Sequence, residues 1–244
     1  MTDQPTSAEA PVSIVTGAGS GIGLATARRL AAGGHRLVLV GRTLGKLRAA
    51  AAALREAHPN IEIEVLEADL GDPTAARSVV PRAVARFGRI DHLVNAAGIA
   101  PLAPIETTDL GLLERTFAVN TFGPALLIAA AWPLMTRQRS GCVVNVSTIG
   151  TSDPFAGFFA YAASKSALDS LTRSVSNEDR RHGIRSFAVN PGAVETPLLR
   201  LNFPEKTIPH SRTLSADAVA ATIVDCLEGR RPEPSGTCIP MPSP

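Results

Sequence analysis

The sequence predicts an α/β fold: a mostly parallel, doubly wound sheet of about seven strands with helices on both faces. Three observations predict it. Short β-branched runs alternate with longer helical patterns along the whole chain. Most of these runs are apolar throughout, as strands covered on both faces are, where a half-exposed strand would alternate. The first run also passes through a glycine-rich loop into a helical pattern, the order strand, turn, helix.

The runs are VSIVT (12–16), RLVLV (36–40), IEIEVLE (61–67), IDHLV (90–94), CVVNVS (142–147) and IRSFAVN (184–190). The third alternates and is expected near a sheet edge. A seventh, short edge strand is expected in the proline-rich stretch RRPEPSGTCIPMPSP, followed by a loose end. Residues 1–11 are polar and read as a flexible tail, leaving residues 12–244 as one domain. Between the strands, Asp72 and Pro73 look like an N-cap and first helical position, and Gly183 like the stop of the helix that holds Tyr161. Pro81 is expected to kink or end its helix. The most apolar segment, PALLIAAAWPLM (124–135), is too short to span a bilayer, is interrupted by Pro133, and reads as a core helix.

Composition narrows the function classes. A length of 244 residues suits a single α/β unit with a well-buried core. The net charge of +2 comes from interspersed arginines, and no basic run marks a nucleic-acid or membrane partner. Cys142, Cys226 and Cys238 are widely spaced and unpaired in pattern, which suggests neither a disulfide framework nor a metal site. No apolar leader is visible, and a cytoplasmic location is expected.

The loop TGAGSGIG (16–23) supplies glycines that let a backbone approach a pyrophosphate and turn into a helix whose free N–H groups attract phosphate. Its spacing, Gly17, Gly21 and Gly23, differs from the common G-x-G-x-x-G pattern. After the second strand comes Gly41-Arg42-Thr43. A carboxylate there would bind an unphosphorylated adenosine ribose, whereas an arginine pairs with a 2′-phosphate, so NADP(H) is expected over NAD(H).

The loop, EADL (67–70), NAAG (95–98), Asn120, YAASK (161–165) and NPGAVET (190–196) occur in this order, and with them the chain resembles the short-chain dehydrogenase/reductases over roughly residues 11–240. The resemblance implies a Rossmann-type fold and a nicotinamide cofactor. It implies that Gly17, Ser20, Gly21, Ile22 and Gly23 form the pyrophosphate turn, that Asp69 and Leu70 flank the adenine, and that Asn95, Ala96 and Gly98 line the ribose and phosphate side. Pro191, Gly192, Val194 and Thr196 resemble the turn that holds the nicotinamide amide, and Asn120 the residue that organises a water relay behind Lys165. A homodimer or homotetramer through residues 108–137 and 157–181 is also implied.

YAASK contains the single tyrosine of the chain and one of its three lysines. On a helix, positions 161, 165, 168 and 172 share one face, and Leu168, Leu171 and Val175 mark its neighbouring stripe as apolar, so Tyr161 and Lys165 are expected to point inward. An inward lysine is costly unless it is paired or has work to do. Hydride exchange at an alcohol carbon requires a proton to move at the oxygen, and a free phenol, with a pKa of about 10, is too weak an acid for this. An ammonium about 4 Å away favours phenolate by about 4 kcal/mol before screening and desolvation, which brings the expected value to about 7. Lys165 is further expected to reach the cofactor ribose, as the resemblance implies.

A third group should hydrogen-bond the substrate oxygen. VNVSTIG offers Ser147 and Thr148 where members of the family often carry two serines, and adjacent strand residues face opposite ways, so one of them serves. Thr148 is slightly favoured because the register from Asn145 then needs no gap. For the substrate, DPFAGFFA (153–160) contributes Phe155, Phe158 and Phe159, and Leu198 begins a segment, 198–213, expected to act as a lid. These side chains suit an apolar or aromatic ketone or alcohol. The reading is an NADP(H)-dependent oxidoreductase; a catalytically silent cofactor-sensing protein on the same scaffold, or a cofactor-free lyase-like relative, are the competing classes.

Overall fold

The computed structural model describes residues 10–178 and 181–244. Its strands are β1 (Val12–Thr16), β2 (Arg36–Gly41), β3 (Ile63–Glu67), β4 (His92–Asn95), β5 (Gly141–Val146), β6 (Ile184–Pro191) and β7 (Cys238–Met241). The helices are α1 (Gly21–Ala32), α2 (Leu44–Ala57), α3 (Pro73–Phe87), α4 (Leu110–Phe117), α5 (Gly123–Gln138), α6 (Phe159–Glu178), α7 (Pro197–Asn202) and α8 (Ala216–Leu227). The strands form one parallel sheet in the order β3-β2-β1-β4-β5-β6-β7. The order reverses between β1 and β4, so the carboxyl ends of these strands open a cleft there.

Strand alternation sorts the core into two layers. Val15, Leu37, Leu39 and Val144 pack with Leu30, Leu54 and Ile223 of α1, α2 and α8. Ile14, Val38, Leu93 and Val143 pack on the other face with Val80, Leu127 and Val175 of α3, α5 and α6. β3 lies at the edge, as its alternation suggested. Asp72 caps α3 by accepting a hydrogen bond from Thr74 N, Pro73 opens the helix, and Gly88, at φ 75°, ends it. Gly183 is left-handed at φ 73°, but it does not stop the Tyr161 helix as expected: α6 is described to Glu178, and the bends at 181–182 lie between it and this glycine.

Three further expectations are corrected. Pro81 neither ends nor interrupts α3, which runs through it to Phe87. Pro81 and Arg77, whose carbonyl loses its helical partner, are both exposed, so water can serve the freed oxygen. The stretch after β7 is not loose. Ser243 Oγ accepts a hydrogen bond from Ala193 N at 2.7 Å, which draws Pro242–Pro244 onto the turn after β6. The expected tail is also too long by two residues: the Ala10 carbonyl accepts from Arg36 Nε and Nη2 (3.1 and 2.9 Å), and Pro11 O from Arg36 N (2.9 Å). Residues 1–9 lie outside the described residues.

The segment 124–135 belongs to a continuous helical run, Leu110–Gln138, that is long and apolar enough to cross a membrane by length and composition alone. In the structure its Leu127, Ala131 and Met135 are buried in the core. The run is not regular. Ala118–Phe122 forms a π-helical turn between α4 and α5, a local widening of the kind found at functional sites, and Asn120 sits inside it.

A buried polar cluster lies at the amino ends of the strands, where β1 and β4 begin. Ser13 Oγ is 2.8 Å from His35 Nδ1 and 3.1 Å from His92 Nδ1. Burial, and then the neighbouring His35, push His92 down to about 3, and burial lowers His35 as well. The unfolded chain therefore binds protons that the folded chain refuses between the ordinary histidine value of about 6.5 and the folded one. Folding stability should fall as pH drops through that window, by up to about 1.4 kcal/mol per pH unit for His92. Urea denaturation across the acid range checks this: His92→Gln should flatten the slope, and an unchanged slope would assign the acid sensitivity elsewhere.

Candidate functional site

The turn between β1 and α1 is built by steric necessity. Gly17, at φ 68°, lies so close to the β4 exit that a Cβ there would sit 2.9 Å from Ala97 N. A Cβ on Gly23 would overlap the Gly17 carbonyl oxygen and lie 2.9 Å from Thr16 O. Ser20, the N-cap of α1, makes no side-chain capping bond, and the first turn of α1 carries no acidic residue. Its hydroxyl and the N–H groups behind it remain available to an anion.

Two cavities open at the carboxyl ends of the strands and meet at Gly98, which lines both. The smaller, about 190 Å³, is bounded by Gly17 and Ser20 of the turn, by Asp69 and Leu70, and by Arg42, Thr43 and Lys46 at the start of α2. Two exposed cations therefore flank its β2 side. Lys46 was not singled out from the sequence. The available signal was its place four residues after Arg42, in a chain with three lysines. Asp69 does not reach the cations; its Oδ1 accepts from Gly71 N at 2.9 Å.

The larger cavity, about 610 Å³, holds Tyr161, Thr148, Ser147 and Lys165. Ile22, Ala96, Pro191, Gly192, Val194 and Thr196 line it on the sheet side, and Phe155, Phe158 and Leu198 on the outer side. Its walls are mostly apolar, and among the described residues its charged lining side chains are Lys165 and Arg212. Phe158 packs on the Tyr161 ring, centroids 5.3 Å apart, and on Phe203 at 5.9 Å. Phe159 does not join them. It is 49% exposed at the first position of α6, whereas Phe158, just before the helix, is held inward by its bridge to Ala103.

Thr148 and Ser147 point to different places, as adjacent extended residues must. The Thr148 hydroxyl lies on the Tyr161 side, where it works to lower the phenol, and accepts from Gly150 N at 3.2 Å. Ser147 Oγ donates to the Lys165 carbonyl at 3.5 Å, bracing α6 against β5. Lys165 is 5% exposed and its Nζ donates to Val146 O at 2.7 Å. Burial lowers its ammonium to about 8, against which the Asp169 charge works upward. Burial also pushes the Tyr161 phenol up to about 12, only partly offset by the neighbouring Thr148 hydroxyl. The expectation of a phenol near 7 is thus overturned in this structure. The ammonium is turned to the Val146 carbonyl, and desolvation of the phenol outweighs the stabilisation it receives.

Several residues named from the sequence lie behind the cavities. Asn120 is fully buried; its Oδ1 accepts from Ile99 N (2.9 Å), and its Nδ2 donates to Ile99 O (2.8 Å) and Ser164 Oγ (3.0 Å). A Cβ on Gly98 would meet Asn120 Oδ1 at 3.2 Å and Lys165 Nζ at 3.4 Å, so both groups crowd the same backbone point. The Asn95 side chain is buried in the sheet, where its Nδ2 donates to Asn145 Oδ1 at 2.8 Å, and lines neither cavity. Gly21 faces the Thr196 side chain and Gly23 faces Gly17; both shape the turn from below.

The segment 198–213 forms the outer wall. Its base is fastened by Glu195 N to Leu214 O (2.9 Å) and Leu214 N to Ala193 O (2.8 Å). Arg200 braces it by donating to Phe203 O (3.2 Å) and Ile208 O (2.7 Å) and by pairing with Glu195. His210 also meets Glu195, at 3.0 Å. Ser243 and its proline neighbours complete the cavity from the chain's far end, a contribution no sequence pattern signalled.

Comparison with known proteins agrees with this geometry. The short chain dehydrogenase family model matches residues 11–207. Levodione reductase of Leifsonia aquatica is 37% identical over 189 residues, covering 77% of this chain and 71% of that protein. The structure of 3-ketoacyl-(acyl-carrier-protein) reductase from Brucella melitensis, complexed with NADH, superposes with a TM-score of 0.87 at 28% identity, covering 95% of this chain and 96% of that one. A metagenomic short-chain oxidoreductase in complex with NADP gives a TM-score of 0.82 at 31% identity, covering 97% and 99%. With the glycine turn, the Tyr161 and Lys165 helix and the seven-stranded sheet in this arrangement, the chain belongs to the short-chain dehydrogenase/reductase family of oxidoreductases.

Proposed function

We propose that the protein is an NADP(H)-dependent oxidoreductase that interconverts a carbonyl and a secondary alcohol, with Tyr161 exchanging the proton at the substrate oxygen. The observation that carries this reading is the convergence of the Tyr161 and Thr148 hydroxyls on one apolar cavity above a buried lysine. The donor set fits a nicotinamide dinucleotide. Cations and free N–H groups gather at the smaller cavity, where phosphates need them, and apolar walls at the larger one, where a flat ring and a substrate do. Ser20, Arg42 and Lys46 would hold its anionic groups, and the Pro191–Thr196 turn its nicotinamide end. The bound cofactor supplies or takes up the hydride.

The chain's own residues handle the proton. Burial keeps the Tyr161 phenol protonated through neutral pH, the state required of a general acid. In the reducing direction the phenol gives its proton to the oxygen that gains charge, while the Thr148 hydroxyl beside it donates a second hydrogen bond to that oxygen. The Lys165 ammonium then stabilises the phenolate left behind, and a compact, mostly apolar wall keeps water from competing. Ketones and secondary alcohols with apolar or aromatic substituents suit the side chains of Phe155, Phe158 and Leu198, and the segment 198–213 closes over them.

NADPH oxidation measured across a panel of ketones and quinones tests the assignment. Tyr161→Phe should lose at least about a hundredfold in kcat/KM. Thr148→Val should lose a comparable factor, whereas Ser147→Ala keeps most of the rate; equal rates in wild type and Tyr161→Phe would remove the proposed acid.

Two further outcomes are expected. Arg42→Ala should weaken NADPH about tenfold while leaving NADH nearly unmoved, and Lys46→Ala should act in the same direction, as fluorescence titration of both cofactors would reveal. Because Lys165 sits near 8 and is charged only below that value, kcat/KM for reduction should be level through neutral pH and fall as pH rises past about 8. A rate that keeps climbing above that value would contradict the role given to the ammonium.

A further inference from the structure

One buried charge beside the site has no part in the steps above. Asp169 lies on α6 one turn beyond Lys165, is 5% exposed and lines neither cavity. Its Oδ2 accepts from Asn190 Nδ2 at 3.0 Å, and its Oδ1 accepts no hydrogen bond among the described residues. A carboxylate so placed is costly to desolvate, and half of its hydrogen-bonding capacity goes unused.

Asn190, also 5% exposed, is the hub of the arrangement. Besides Asp169, its Nδ2 lies 3.2 Å from Thr148 O and 3.2 Å from Thr151 Oγ1. One amide therefore ties α6, the end of β6 and the turn that carries the Thr148 hydroxyl. Bracing alone needs only a neutral oxygen at position 169, which asparagine, glutamine or serine would supply without burying a charge. What a neutral oxygen cannot supply is a negative charge one helical turn from a buried ammonium.

The other groups around the pair leave that task to Asp169. From β5 Lys165 receives only the Val146 carbonyl, and beside Gly98 the Asn120 amide is neutral. The Tyr161 phenol lies on the same helix, one turn the other way. The Cys238 thiol of β7, pushed up by burial and next by the Asp169 charge, neighbours the carboxylate, with Arg173 Nη1 3.5 Å from its sulfur.

We propose that Asp169 is a positioning residue of the site: fixed by Asn190, its carboxylate keeps the Lys165 ammonium charged beneath Tyr161, and through Asn190 it holds the Thr148 turn in register with them. The proposal rests on the reading that Lys165 serves Tyr161, but its test does not require turnover. With three lysines in the chain, [13Cε]lysine labelling leaves three signals, which Lys46→Arg and Lys206→Arg assign. In Asp169→Asn, which retains an acceptor for Asn190, the Lys165 titration midpoint should fall by about one pH unit while Lys46 and Lys206 stay in place. Asp169→Glu should bring it back toward the wild-type value. In the same variants the alkaline fall of kcat/KM should move with the midpoint, a displacement that loss of bracing alone would not cause. Asp169→Ala is the second arm should the asparagine variant fold poorly. A Lys165 midpoint that is the same in wild type and in either neutral variant overturns the proposal. Full turnover in Tyr161→Phe together with a shifted midpoint would sink the acid/base reading and leave the Asp169–Lys165 coupling standing.

Discussion

The burial of one ammonium constrains everything else at this site. Lys165 is removed from water, and among the described residues its ammonium donates to the carbonyl at the end of β5. That bond requires α6 to cross the carboxyl end of the sheet at a fixed depth and rotation. Once it does, the helical repeat decides the rest: Tyr161 one turn before faces the cavity, and Asp169 one turn after faces β6 and β7. A Cβ on Gly98 would crowd Asn120 and Lys165, which converge on it from the other side. The π-helical turn at Asn120 is the backbone's accommodation to the same crowding, since it turns the amide toward Ile99 and Ser164 when a regular helix would aim it elsewhere.

Electrostatics divides the cleft into two ends. Where β1 turns into α1, free N–H groups, a hydroxyl and two cations face the smaller cavity. Where β5 and β6 end, hydroxyls and one ammonium face an apolar chamber bounded by phenylalanines. Burial works in opposite directions on Tyr161 and Lys165 in that chamber. It raises the phenol and lowers the ammonium, and both shifts favour the uncharged form. The result is a chamber in which the Tyr161 phenol stays protonated through neutral pH.

The outer wall is assembled from distant parts of the chain. Arg200 ties the segment after β6 to itself and to Glu195, whose carboxyl it holds below the usual carboxylate range. Ser243 reaches the Ala193 backbone from beyond the last strand. A Cβ on Gly192 would run into that serine, so the turn after β6 is narrow for the sake of the chain end that crosses it.

The fold class, the edge position of β3, the capping of α3 and the strand-turn-helix glycine loop could be read from the sequence, because they follow from local rules: β-branched runs, Asp-Pro at a helix start, glycines where a Cβ would collide. The Tyr161, Lys165 and Thr148 positions were legible for the same reason, since a helical repeat and a strand alternation set their directions. Whether Pro81 breaks a helix depends instead on which side of α3 meets water. Which of Phe158 and Phe159 enters the cavity and where the chain after β7 goes depend on contacts between segments far apart in sequence. The ionisation of Tyr161 was the deepest case: local spacing supplies a nearby ammonium, but only the packed structure determines how much water the phenol loses, and that loss outweighed the charge. Sequence by itself determined which groups meet along single elements; tertiary structure decided burial, and burial sets the chemistry because the cost of a charge depends on everything packed around it.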